Sequence, residues 1–177
     1  MRLILFLIIL LYSCSNDPEE VKEFIKTENL PIEKIEGAEM LQTENGILKV
    51  QIIAETIKRF QDAQPQLVFS NGLKVVFYND SGLVKSILKA ENAEIDKTNN
   101  IMTASESVFL TSSDGKTLET EKLIWDENKN KIYTDNKVII RTSKELIEGE
   151  GFESNPDFSE YSISKIEGTF NFEAPPN

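Results

Sequence analysis

Apolar and polar positions along this chain fall into a spaced pattern that returns four times. Its copies are Ile52-x-Ala54-x-x-Ile57-x-x-Phe60, Leu88-x-Ala90-x-x-Ala93-x-x-Asp96, Leu118-x-Thr120-x-x-Leu123-x-x-Asp126 and Ile147-x-Gly149-x-x-Phe152-x-x-Asn155. They begin 36, 30 and 29 residues apart, a spacing that predicts one structural unit reused along the chain. The first two positions are two residues apart, which places them on the same face of a strand. The third comes three residues later, and an odd step reverses the face unless the strand bulges or bends there. The pattern therefore predicts extended segments that turn a corner around an apolar interior.

Turn chemistry punctuates the same region at Asn45-Gly46, Asn71-Gly72, Asp80-Ser81-Gly82, Asn99-Asn100, Asp114-Gly115, Asn128–Asn130, Asp135-Asn136 and Asn155-Pro156-Asp157. Between these points lie short β-forming segments. Leu48, Val50, Ile52 and Ala54 alternate with mostly polar residues, while Leu73–Phe77, Val108–Leu110 and Val138–Ile140 are largely or wholly apolar runs. A helix over Val50–Phe60 also satisfies the local spacing, but the matching segments carry Gly and Thr, which are poorer helix formers. A second rhythm, Asn100–Ala104 leading to Val108 and Lys131–Asp135 leading to Val138, describes a strand, a corner and a return strand. Stacked hairpins of this kind bury an apolar face only against their neighbours, and they predict an all-β sandwich, jelly roll or open groove.

Composition narrows the function. The chain has 177 residues and a formal charge of −11, which argues against nucleic acid as a partner because such binders need a basic footprint. Histidine is absent and there is one cysteine, so imidazole bases, Cys-His pairs and His-bearing zinc sites are excluded. No catalytic residue, metal ligand or cofactor site is assigned. Asp126–Asn130 opens like a calcium loop, but Lys131 stands where that loop needs Gly and Lys137 where it needs Glu.

The amino terminus is the other informative segment. Leu3–Leu11 is an unbroken apolar run behind Arg2, about half of the ~20 residues that span a bilayer and the length of a signal-peptide core. It ends in Leu11-Tyr12-Ser13-Cys14, which resembles the lipobox of bacterial lipoproteins, although Tyr12 is bulkier than usual there. That resemblance implies removal of residues 1–13 and lipidation of Cys14, with several acyl chains giving a stable membrane anchor. Residues 14–31, polar and containing Pro18 and Pro31, read as a lipidated tether, or at Val21–Lys26 as a short helix, and residues 32–177 as the folded domain.

Within that domain the segments Phe77–Asp80, Leu88–Ala93, Leu118–Asp126, Ile132–Asp135 and Ile147–Asn155 carry a family likeness, continued by Tyr161–Ile163 and Ile166–Gly168. Together they resemble the LptC family of lipopolysaccharide-export proteins, over about residues 45–170. The resemblance implies an open, twisted antiparallel β jelly roll lined with apolar side chains. It implies a protein on the periplasmic side of the inner membrane. Its implied partners are lipopolysaccharide, an inner-membrane ABC transporter and a bridge protein of the same β fold. The family's usual membrane helix is here replaced by the lipobox cysteine, which leaves orientation intact; an outer-membrane location for the anchor stays open.

Candidate groove residues are Ile52, Phe77, Leu88, Phe109, Leu118, Trp125, Ile147 and Phe152, each of which can equally be ordinary core. The last strand, with Tyr161, Ile163, Phe170 and Phe172, is the candidate edge for a partner, or else a closing strand of the domain. Lys58 and Arg59 are candidate phosphate contacts at the rim, though surface charge explains them as well. The competing functions are a surface-exposed structural or adhesive β lipoprotein and, from the many carboxylates, a glycan hydrolase.

Overall fold

In the computed structural model, which describes residues 30–61 and 63–167, ten strands follow one another without a helix among the described residues. They are β1 (Glu33–Glu44), β2 (Ile47–Arg59), β3 (Leu67–Tyr78), β4 (Val84–Ala90) and β5 (Asn92–Asp96), then β6 (Ile101–Ser112), β7 (Thr117–Asp126), β8 (Lys131–Arg141), β9 (Leu146–Ser154) and β10 (Tyr161–Glu167). All pairings are antiparallel, and one sheet runs β1-β2-β3-β4-β6-β7-β8-β9-β10, with β5 filling in between β3 and β6. The expected all-β jelly roll is what the chain forms, and Val50–Phe60 lies in β2 and its exit rather than in a helix.

The corner predicted from the repeat is a line of irregularities crossing the sheet. Register shifts fall between Ala54 and Thr56 in β2, Ser105 and Val108 in β6, Thr120 and Ile124 in β7, and Thr134 and Lys137 in β8. At Glu91 the chain breaks what would be one strand into β4 and β5, so that Leu73–Tyr78 of β3 pairs with β4 and Leu67–Phe69 pairs with β5. Gly72 N donates to Glu91 O at 2.9 Å, and Glu91 N donates to Glu106 O at 3.0 Å, which stitches three corners together. Because each bulge restores the inward direction after an odd step, Ala54 and Ile57, Ala90 and Ala93, Thr120 and Leu123, and Gly149 and Phe152 are all buried.

The line divides the sheet into two arms that fold toward each other. The Phe77 ring on the β3–β4 arm meets the Trp125 ring on the β7–β8 arm edge to face, centroids 5.2 Å apart. Between the arms lies one apolar core, in which Phe69, Leu110, Leu118, Ile132 and Ile140 are fully buried.

Two turn signals have a different outcome from the one their residues suggest. Asn71-Gly72 and Asp135-Asn136 do not reverse the chain; they lie inside β3 and β8 as corners. Asn71 and Gly72 both have left-handed backbone, at φ 67° and 105°, so the turn chemistry is present but serves a bend. Glu106 and Ser107 form the equivalent bend in β6 with φ 65° and 52°, although neither residue type announces it.

Candidate functional site

The apolar interior between the arms is the candidate site, and the alternation of each strand decides which side chains reach it. Ile52, Phe77, Leu88, Leu118, Ile147 and Phe152 all point inward and are buried, and Trp125 packs against them from the border of the core, partly exposed. Phe109 is the exception and a correction. It stands between buried Val108 and Leu110, and so faces away from the interior, where with Ile139, Glu119 and Lys137 it lines an open depression of about 430 Å³ on the outer side of the sheet. An uninterrupted apolar run hides the strand phase, and only the pairing of Phe109 with Glu119 shows that its face is the outer one.

The interior is packed rather than hollow. Phe77, Leu88, Met102, Ala104, Leu123, Trp125 and Ile132 surround a residual cavity of about 10 Å³, room for about one water molecule. Among the described residues, one buried side-chain nitrogen or oxygen has no hydrogen-bond partner: Trp125 Nε1. Leaving such a donor unpaired costs about 1–3 kcal/mol. Met102, Ala104 and Ile132 are not among the candidate groove residues, and neither is Leu123, although it is the third position of a repeat copy; the alternation in β6, β7 and β8 carries the signal.

One end of the interior is covered. The β9–β10 connection carries Phe158, fully buried, with left-handed backbone at φ 56°. Its ring meets Phe152 at 5.5 Å and Tyr161 at 5.3 Å. The connection is tied across to β4: Ser86 Oγ donates to Pro156 O at 2.7 Å, and Lys85 pairs with Asp157 at 3.2 Å. Burial works to raise the Asp157 carboxyl, but hydrogen bonds from the Ser159 hydroxyl and amide and from Lys85 outweigh it and hold it below the ordinary carboxylate value.

Among the described residues the two margins of the sheet are β1 and β10, each paired on one side alone, and they are not joined to each other. β10 is the margin expected from the sequence. Its Tyr161 and Ile163 turn inward, Tyr161 stacking on Phe152 at 6.1 Å, so these side chains serve the domain's own core and leave the backbone as the free edge. Phe170, Phe172 and Cys14 lie outside the described residues. Gly149 explains how closely β10 docks: a Cβ there would stand 2.5 Å from Lys165 O and 2.6 Å from Ile163 Cγ2. The β1 margin was not foreseen. Its inward residues Ile35 and Met40 lie in register with Ile57 and Ile52 of β2, yet they remain substantially exposed.

Among the described residues Asp126 is the one buried charged side chain; the others are exposed or half-buried. Arg59 pairs with Glu33 at 2.6 Å. Asp126, the first residue of the rejected calcium loop, accepts from Lys129 N at 3.0 Å and pairs with its ammonium at 2.8 Å, which lowers the Asp126 pKa. The Lys116 ammonium and the Ser112 hydroxyl hold Asp114 down to about 2. Among the described residues no three Asp, Glu or Cys side chains gather as a metal site would require.

A bent antiparallel sheet with an apolar interior and unjoined margins defines the class: an open β jelly roll. The family model for lipopolysaccharide assembly, LptC-related, matches residues 2–165, and the chain belongs to that family. It is thereby a non-enzymatic protein of lipopolysaccharide transport, in a family that works in the periplasm in association with the inner membrane. No curated protein matches the sequence.

Proposed function

We propose that this domain accepts the acyl chains of lipopolysaccharide from an inner-membrane ABC transporter and hands them to a bridge protein of the same β fold. The observation that carries the reading is the continuous apolar inner face, which runs from buried Leu118 and Leu88 to exposed Met40 and Ile35 at the β1 margin. Each methylene that leaves water for such a face contributes about 0.8 kcal/mol, so an acyl chain needs no charged contact to be held. Because the interior is filled by its own side chains, entry separates the two arms, and the β1 side offers apolar surface already in contact with water. Among the described residues no strand bridges β1 to β10, so the arms can part without breaking a closed ladder. Cys14, lipidated, holds the domain at the periplasmic side of the inner membrane, and the free backbone of β10 recruits the next roll by strand addition.

Photo-crosslinking in living cells tests this directly. A benzophenone amino acid at Leu88, Leu118 or Phe152 is expected to yield lipopolysaccharide adducts, whereas the same group at outward-facing Ile139 yields none. Absence of adducts at every inward position would remove the proposal.

A further inference from the structure

We infer that Trp125 is a specificity-determining residue of the interior, its indole N–H reserved for the carbonyl oxygen of an ester or amide that links an acyl chain to its headgroup. The inference rests on the lipid-carrying role proposed above and adds the chemical group that is read. Three observations carry it. First, Trp125 Nε1 is the one buried side-chain donor or acceptor among the described residues that lacks a partner, whereas buried indole N–H groups ordinarily have one. Second, a water molecule is a poor partner for this donor. The space of about 10 Å³ that Trp125 helps to line is walled almost entirely by apolar atoms, including those of Phe77, Leu88, Met102 and Leu123. A buried water there would lack the roughly three polar partners that normally hold one. Third, Trp125 as a residue reaches the border of the core and is partly exposed although its Nε1 is buried, with its ring against Phe77 of the opposite arm. Border and interior match the two parts of an acyl group: hydrocarbon inside, carbonyl at the rim. A site with a waiting polar atom discriminates against a ligand that cannot fill it, so the donor selects acyl over plain alkyl chains.

Trp125 is the only tryptophan of the chain, so a ¹⁵N-indole label gives a single reporter. The full chain in dodecyl maltoside, a detergent without a carbonyl group, is titrated with lipid A and separately with an ether-linked dialkyl lipid of equal chain length. Lipid A is expected to move the indole proton downfield, and the ether lipid to bind without that shift. Trp125→Phe, which keeps an aromatic ring and removes the donor, is expected to weaken lipid A about tenfold more than it weakens the ether lipid, the size of one hydrogen bond. Retained ether-lipid binding certifies that the variant is folded. Should the variant not fold, the wild-type indole shift alone decides. Equal shifts with both lipids overturn the inference and leave the carrier role standing. So does an indole proton held upfield by the Phe77 ring and indifferent to lipid A. Failure of both lipids to bind overturns the carrier role, and the inference with it.

Discussion

Ile57 and Ile52 of β2 are 3% and 8% exposed, while their register partners on β1, Ile35 and Met40, are 40% and 36% exposed. Both pairs face the same side of the same sheet, and all four side chains are large and apolar. The difference is what lies opposite. β2 is roofed by the facing arm and flanked on both sides, whereas β1 has no strand beyond it among the described residues. Alternation therefore decides which way a side chain points, but burial is decided by the second arm. The contrast also identifies where the interior meets water: along β1, the side from which a hydrophobic ligand finds apolar surface without first displacing core.

The largest test of that contrast is a pair of truncations. Leu118→Ala, at a fully buried site between the arms, is expected to cost about 3–5 kcal/mol in urea unfolding, because the close-packed surroundings cannot collapse into the space. Met40→Ala is expected to cost less than about 1 kcal/mol, since much of that side chain is already hydrated. Similar losses at both positions would erase the distinction between centre and margin. A second test compares the two margins. Gly149→Ala brings a Cβ against Lys165 O and Ile163 Cγ2, so β10 must move or detach, at about 1–3 kcal/mol. Hydrogen exchange is expected to quicken in β10 while β1 and β2 keep their protection; a uniform change would show that β10 is not an independently displaced margin.

The smallest effect is electrostatic. Asp114 titrates at about 2 in the folded protein, below its ordinary 3.8, so it binds fewer protons than the unfolded chain in that range. Its contribution is present above about pH 4 and is lost as pH falls through about 2. The carboxylate is about half exposed, so screening keeps the contribution under about 1 kcal/mol. Asp114→Asn is expected to lower the melting temperature slightly and evenly across pH 6 to 8, with the difference from the unaltered protein vanishing toward pH 2; identical melting temperatures at neutral pH would remove Asp114 from the account.

Local patterning made the inward-facing residues legible to the extent that each segment alternates. The odd step in Ala54-x-x-Ile57 and its three counterparts was enough to predict a corner, because both residues are apolar or small and must face one core. Asn71-Gly72 was legible as left-handed backbone but not as a bend within a strand, since the same dihedrals serve either a reversal or a kink. Glu106-Ser107 carried no such signal; its bend is imposed by the Glu91 break beside it. Phe109 was assigned inward because Val108-Phe109-Leu110 shows no alternation from which to read the phase. Phe158 was invisible, as a lone aromatic in a polar turn becomes core only when the connection crosses to Ser86 and Lys116.

By itself, the order of residues determined strand, corner and inward face, because those depend on side-chain period and backbone preference within a dozen residues. It also excluded imidazole chemistry, since no histidine is present. Only the tertiary structure decided that the interior is packed, that β1 is its open side, and that the Trp125 N–H is left without an acceptor. Those properties belong to the meeting of two arms built from opposite halves of the same strands, and no local pattern encodes what will stand opposite a given side chain.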